Sequence, residues 1–167
     1  MNKKNKNLFN RGFSLVEVLI GSSIICLSLI FIINLETGIS KLGFNSTSRV
    51  QAGMLAEEGV SAIINLRNVS WLNNIAPLSN NVPYKLFWDQ GDGLWKTAAW
   101  VNLIDNKFDR TVTFYPVYRN AATFDVVSSG GVLDLGTRKF VVSITWHDDN
   151  GTSTKSITSY VHNIFNK

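Results

Sequence analysis

The chain has 167 residues, about one domain's worth, of which 45% are apolar, 17% charged and 11% aromatic. That balance excludes a disordered chain at one extreme and a many-span membrane protein at the other. A single cysteine, Cys26, excludes an intrachain disulfide and a multi-cysteine metal site, and with only two histidines, His147 and His162, a three-histidine zinc site is excluded too.

The net charge of +4 is concentrated at one end. Lys3, Lys4, Lys6 and Arg11 stand within residues 1–12, which hold no acid, and the other twelve bases face twelve acids. The sum therefore does not point to a broadly basic nucleic-acid surface, although local patches stay open.

An apolar run follows this basic start. From Phe13 to Leu35 is 23 residues, a helix of roughly 35 Å that crosses a hydrocarbon core of about 30 Å. The flanking lysines and Arg11 place the start in the cytoplasm and the remainder outside. Three readings compete. A secretory signal peptide needs a small-residue cleavage site after the run, and Asn34-Leu-Glu-Thr-Gly-Ile-Ser-Lys41 fits that poorly. A lipoprotein signal would use Cys26, but the residue before it is Ile25, where a small residue is needed. The second reading is a plain single-span anchor. The third turns on Glu17, a carboxylate five residues into the run with no base in the helical turn that follows. An ionised acid costs about 2.5–3.5 kcal/mol at a bilayer centre and less near an interface, so a partner must be named for it. Arg11 is one candidate. A cut before Phe13 would create another, an α-amino group about 6 Å along the helix axis from Glu17.

Arg11-Gly-Phe-Ser-Leu-Val-Glu-Val-Leu-Ile20 resembles the processing and methylation motif of type IV pilins and type II secretion pseudopilins. The resemblance implies a leader, residues 1–12, cut after Gly12 by a prepilin peptidase that also N-methylates Phe13. It implies that the apolar helix is kept as filament core and that Glu17 pairs with the amine of a neighbouring subunit. The physical rationale is direct. Gly12 has no Cβ to obstruct a protease cleft, and one buried charge pair fixes register where apolar packing alone does not. The implied partners are other pilins or pseudopilins, a platform protein and an assembly ATPase. No cofactor is implied.

Residues 36–50 are mixed, with Gly38, Gly43 and Asn45-Ser-Thr-Ser48. Glycine costs about 1 kcal/mol in a helix interior, so this stretch reads as a weakened helix middle or a short linker. The resemblance implies that the helix continues, giving 13–35 as membrane span and 36–71 as its amphipathic continuation. Periodicity returns at 50–69. Ala52, Leu55, Ala56, Gly59, Ala62, Ile63 and Leu66 form one helical face. Glu57 and Glu58 diverge by about 100° and read as solvated surface, not as a catalytic carboxylate pair. Leu55-Ala-Glu-Glu-Gly59, Asn65-Leu-Arg-Asn68 and Trp71 are similar to the corresponding helix of bacterial minor pilins.

Residues 72–167 read as strands and turns. Tyr84–Trp88 and Leu94–Val101 flank Asp89-Gln-Gly-Asp-Gly93, and Thr111–Tyr118 alternates, with Pro116 requiring an edge or a bulge. The clearest hairpin runs Lys139–His147, turns through Asp148-Asp-Asn-Gly151, and returns over Thr152–Phe165. Phe140, Val142, Ile144 and Trp146 share the face expected to pack on the 50–69 helix. The expected fold is α+β, a long N-terminal helix on a C-terminal antiparallel sheet. The absence of a disulfide departs from many type IV pilins and favours a minor pilin or pseudopilin.

The remaining chemistry is sparse. Asp89 and Asp92 offer two carboxylates where calcium takes six to eight oxygens. His147, Asp148 and Asp149 read as an exposed turn. No phosphate loop or nucleophilic triad is legible, so no catalytic residue and no metal ligand is assigned. Trp88, Trp95 and Trp100, with Lys85 and Lys96 nearby, read first as packing. They also give the alternative to a filament subunit: a membrane-anchored surface module recognising sugar or DNA through aromatic rings. An anchored enzyme is the third class.

Overall fold

The computed structural model describes residues 14–148 and 151–165. The chain divides into two units, Met1–Phe44 and Asn45–Lys167. The basic start, Gly12 and Phe13 lie outside the described residues, as do Asp149 and Asn150 of the expected hairpin turn.

Helix α1 spans Leu15–Val69. It runs unbroken through residues 36–50, so the short-linker reading does not hold there. Elongating an existing helix adds one hydrogen bond for each residue fixed, which offsets the local cost of glycine. The first unit contains Leu15–Glu36, long and apolar enough to cross a membrane and not buried at any point in the structure. Within it the hydroxyls of Ser22, Ser23 and Ser28 donate to carbonyls three or four residues back. Their polarity is thus satisfied inside the helix, as an apolar surround demands.

In the second unit the stripe expected over 50–69 is the buried one. Ala52, Ala56, Ala62, Ile63 and Leu66 are buried among the sheet's inward side chains. At Gly59 a Cβ would stand 2.7 Å from Val142 Cγ1, so only glycine allows helix and sheet this close. The helix stops where Ser70 turns to extended geometry and caps α2, Trp71–Asn74, by accepting a hydrogen bond from the Asn73 N–H. The Leu66 carbonyl at the end of α1 accepts from the Ser70 N–H and also from Asn74 Nδ2.

The strands are β1 (Pro83–Asp89), β2 (Leu94–Ala98), β3 (Asp109–Arg119), β4 (Val126–Val127), β5 (Val132–Asp148) and β6 (Gly151–His162). They form one sheet in the order β2-β1-β3-β5-β6, with β4 paired to β3; every pairing is antiparallel. The α+β expectation holds. Phe140, Val142, Ile144 and Trp146 are all buried on the helix side, opposite Val112 and Phe114 of β3. Pro116 sits at the irregularity between β3 and β5: Pro116 pairs with Arg138 and Val117 with Asp134, leaving residues 135–137 of β5 as the extra ones. Asp148 pairs with Gly151 across the turn, and Gly151 has φ +116°.

Three boundaries differ from expectation. Strand β2 ends at Ala98, leaving Trp100 and Val101 outside it. Strand β5 begins at Val132, seven residues before Lys139. Strand β6 ends at His162. The early part of β5 is held by Arg119 across the pair, whose Nε donates to Asp134 at 2.6 Å. Burial pushes the Asp134 carboxyl up, but hydrogen bonds from Arg119, Thr137 and the Gly136 N–H outweigh it and hold the pKa low.

Candidate functional site

The N-terminal candidate is the first turn of α1. Val18 N donates to Ser14 O at 3.2 Å, and Glu17 is the acid of the turn. There it faces the positive end of the helix dipole. Ser14 and Glu17 also have the spacing of a capping box. Around Glu17 the side chains are apolar and exposed, with Val16 at 60% and Val18 at 59%. No lysine or arginine occurs between Leu15 and Glu36, so this stretch supplies Glu17 with no cation of its own. Lys3, Lys4, Lys6, Arg11, Gly12 and Phe13 lie outside the described residues.

The second candidate, the tryptophan cluster, is not one surface. Trp88 and Trp95 face each other across β1 and β2 and meet edge to face, 5.7 Å between centroids. Trp88 shares a face with buried Leu86 by strand alternation, and Trp95 packs on the core. Trp100 instead lines a 280 Å³ cavity with Lys85 and Asp109, which belong to the opposite face. The trio Trp88, Trp95 and Trp100 is therefore not brought together, because β2 ends before Trp100. The two nearby lysines are also already engaged. Lys85 pairs with Asp109, and Lys96 pairs with Asp89 and Asp92.

Sequence reasoning missed the charge under Trp95. Arg110 stands on the inward face of β3 and is buried. Its guanidinium lies 5.0 Å from the centre of the Trp95 ring and donates to Glu58 Oε2 at 2.7 Å. Glu58 is thus not simply solvated, as the helical pattern suggested, but half-exposed and tied to a buried cation. Its neighbour Glu57 is exposed. A second inward base, Arg138, donates to the carbonyls of Ile75 and Leu78 and fixes the loop after α2. Burial lowers the Arg138 pKa.

The hairpin acids are satisfied locally. Asp89 accepts from Lys96 Nζ at 2.6 Å and from the Gly91 N–H at 2.9 Å. Lys96 holds the Asp89 carboxyl below its ordinary range, and the two aspartates raise Lys96. At the other hairpin, Asp148 accepts from Ser153 Oγ, and His147 lies beside Thr152. Among the described residues no group of three or more His, Cys, Asp or Glu is placed to hold a metal ion. Cys26 is a free, exposed thiol on the apolar segment.

Comparison of the chain with family models, with characterised proteins and with solved structures returns no match.

Proposed function

We propose that the chain is a structural subunit of a type IV pilus-like filament, a minor pilin or pseudopilin, made as a single-span membrane precursor. A prepilin peptidase removes residues 1–12 after Gly12 and methylates Phe13. The subunit then enters the filament through its N-terminal helix, handled by the platform protein and assembly ATPase. The observation that carries the reading is Glu17. It is the single charge between Leu15 and Leu35, on an uncovered apolar helix that offers it no cation. Water is a poor solvent for the surrounding side chains, and lipid is a poor solvent for the acid. A bundle of like helices, each bearing a free N-terminal amine, suits both.

A fold of one amphipathic helix on an antiparallel sheet agrees with the pilin-like architecture that the motif implies. The rival reading of a tryptophan-lined sugar or DNA surface loses support from the split of Trp100 from Trp88 and Trp95 and from the paired state of Lys85 and Lys96. The test is mass spectrometry of the mature protein from its native host. The expected N-terminus is an N-methylated Phe13; an intact Met1 would leave a plain anchor.

A further inference from the structure

The sheet has a second face, turned away from α1. By strand alternation it carries Thr111, Thr113 and Tyr115 of β3, Lys139, Val141, Ser143 and Thr145 of β5, and Thr154, Ser156, Thr158 and Tyr160 of β6. Cross-strand pairing sets these in rows. Thr111, Ser143 and Ser156 form one row, Thr113, Val141 and Thr158 the next, and Tyr115, Lys139 and Tyr160 the next again. Beyond Pro116 the pairing jumps from Arg138 to Asp134, so residues 135–137 of β5 are the extra ones and β3 keeps its alternation. Val117 is buried on this side, beside Tyr115, and is not part of the helix-facing core.

Tyr115, Val117, Tyr118, Lys139, Tyr160 and Val127 of β4 line a groove of about 570 Å³. No acid lines it. Lys139 Nζ lies 5.1 Å from the centre of the Tyr115 ring. Among the described residues Lys139 has no carboxylate partner, whereas Lys85 and Lys96 of the same face are both ion-paired. The groove thus sets tyrosines around one cation without a carboxylate partner, next to a sheet surface of neutral hydroxyls.

We propose that this groove binds an acidic glycan, with a uronic acid ring against the tyrosines and its carboxylate on Lys139. A pyranose offers an apolar C–H face to an aromatic ring and hydroxyls to the phenol oxygens. The rows of Ser and Thr extend that hydrogen-bonding surface to neighbouring sugars. A single-stranded nucleic acid suits the site poorly. It needs a track of cations along its phosphates, and among the described residues the groove offers Lys139 alone. The inference is independent of filament assembly and of the tryptophan pair on the other face.

The test uses the full-length protein in detergent micelles and isothermal titration with three probes. They are trigalacturonate, its methyl ester, and a mixed-sequence single-stranded oligodeoxynucleotide. Saturable binding of trigalacturonate is expected, with affinity falling about tenfold or more on esterification or in Lys139→Gln. Tyr160→Ala is expected to weaken binding and Tyr160→Phe to retain part of it. Lys155→Gln, which removes a cation from the helix-facing side of β6, is expected to leave affinity unchanged. The proposal fails if trigalacturonate does not bind, or if the neutral ester binds as tightly. It fails equally if Lys155→Gln weakens binding as much as Lys139→Gln, or if the oligonucleotide binds more tightly than the sugar. Circular dichroism of each variant separates loss of binding from loss of fold.

Discussion

Two stretches of one helix, Leu15–Glu36 and residues 50–69, are both rich in apolar side chains and use them differently. In the first the apolar residues cover every side and none is buried. In the second they keep to one stripe, and that stripe is the helical half of the core. A stripe is the signature of a helix with a sheet to lie on. A helix that is apolar all round has its solvent or its partners elsewhere. The contrast extends to charge. Glu58, on the striped segment, reaches a buried arginine in its own unit. Glu17, on the uniform segment, has no base between Leu15 and Glu36.

The largest effect expected from this contrast is on assembly. Glu17→Ala should be inserted and cut after Gly12 like the wild type, yet its filament incorporation should fall by about an order of magnitude or more. That is the scale of losing one desolvated ion pair. Immunoblotting of sheared filaments against whole-cell protein reads this. Unchanged incorporation would remove Glu17 from assembly and would falsify the role given to it.

Stability should respond in the reverse sense. Phe140 is buried against Phe114, with ring centroids 6.1 Å apart, and Phe140→Ala should cost about 3–5 kcal/mol. Ile24, 58% exposed on the uniform segment, should give Ile24→Ala a change within about 0.5 kcal/mol in the unfolding of the second unit. Denaturant titration followed by tryptophan fluorescence suits the measurement, because all five tryptophans lie in that unit. A large effect of Ile24→Ala would mean that the two segments are not energetically separate.

Glu58→Gln ranks next. It leaves the Arg110 guanidinium buried with its acid gone, and a loss of about 1–3 kcal/mol is expected in the same titration. Replacing both, as Glu58→Gln with Arg110→Met, should recover part of it, because the cost lies in the orphaned charge. If the double variant is less stable than the single one, the pair itself contributes more than its desolvation takes away.

How far the chain could be read beforehand follows the same division. Patterns that repeat along one element were legible. The stripe from Ala52 to Leu66, the alternation from Phe140 to Trp146 and the irregularity at Pro116 each express local geometry that a side chain obeys wherever the chain goes. What failed depends on a second element. Glu58 looks solvated on a helical wheel because Arg110 arrives from a strand 52 residues later. Strand β5 starts early where Arg119 of β3, 15 residues away in the chain, holds Asp134. Trp88, Trp95 and Trp100 are neighbours in sequence, but the end of β2 and strand alternation separate them. The tyrosine groove had no sequence signal, since Tyr115, Lys139 and Tyr160 meet only through strand register.

The smallest expected effect concerns a region that is exposed like the uniform segment but charged. In the β1–β2 hairpin, Asp89 and Lys96 are partners at the surface. Asp89 titrates below its ordinary 3.8 in the folded protein, chiefly through Lys96 and then through the Gly91 N–H. Its contribution is therefore present above the unfolded value and is lost as pH falls through the lowered folded value. Lys96 is raised above 10.5 by Asp89 and Asp92, so its contribution is present below that value and is lost as pH rises through the folded one. Across neutral pH both are complete, and salt should weaken them because the pair is exposed. Carboxyl-carbon NMR should place the Asp89 midpoint below 3.8, and Lys96→Gln should move it back up. A midpoint that ignores Lys96 would mean the ion pair does not form in solution. Asp89 would then stand where Glu17 does, an acid whose own segment provides no counter-charge, but with water around it.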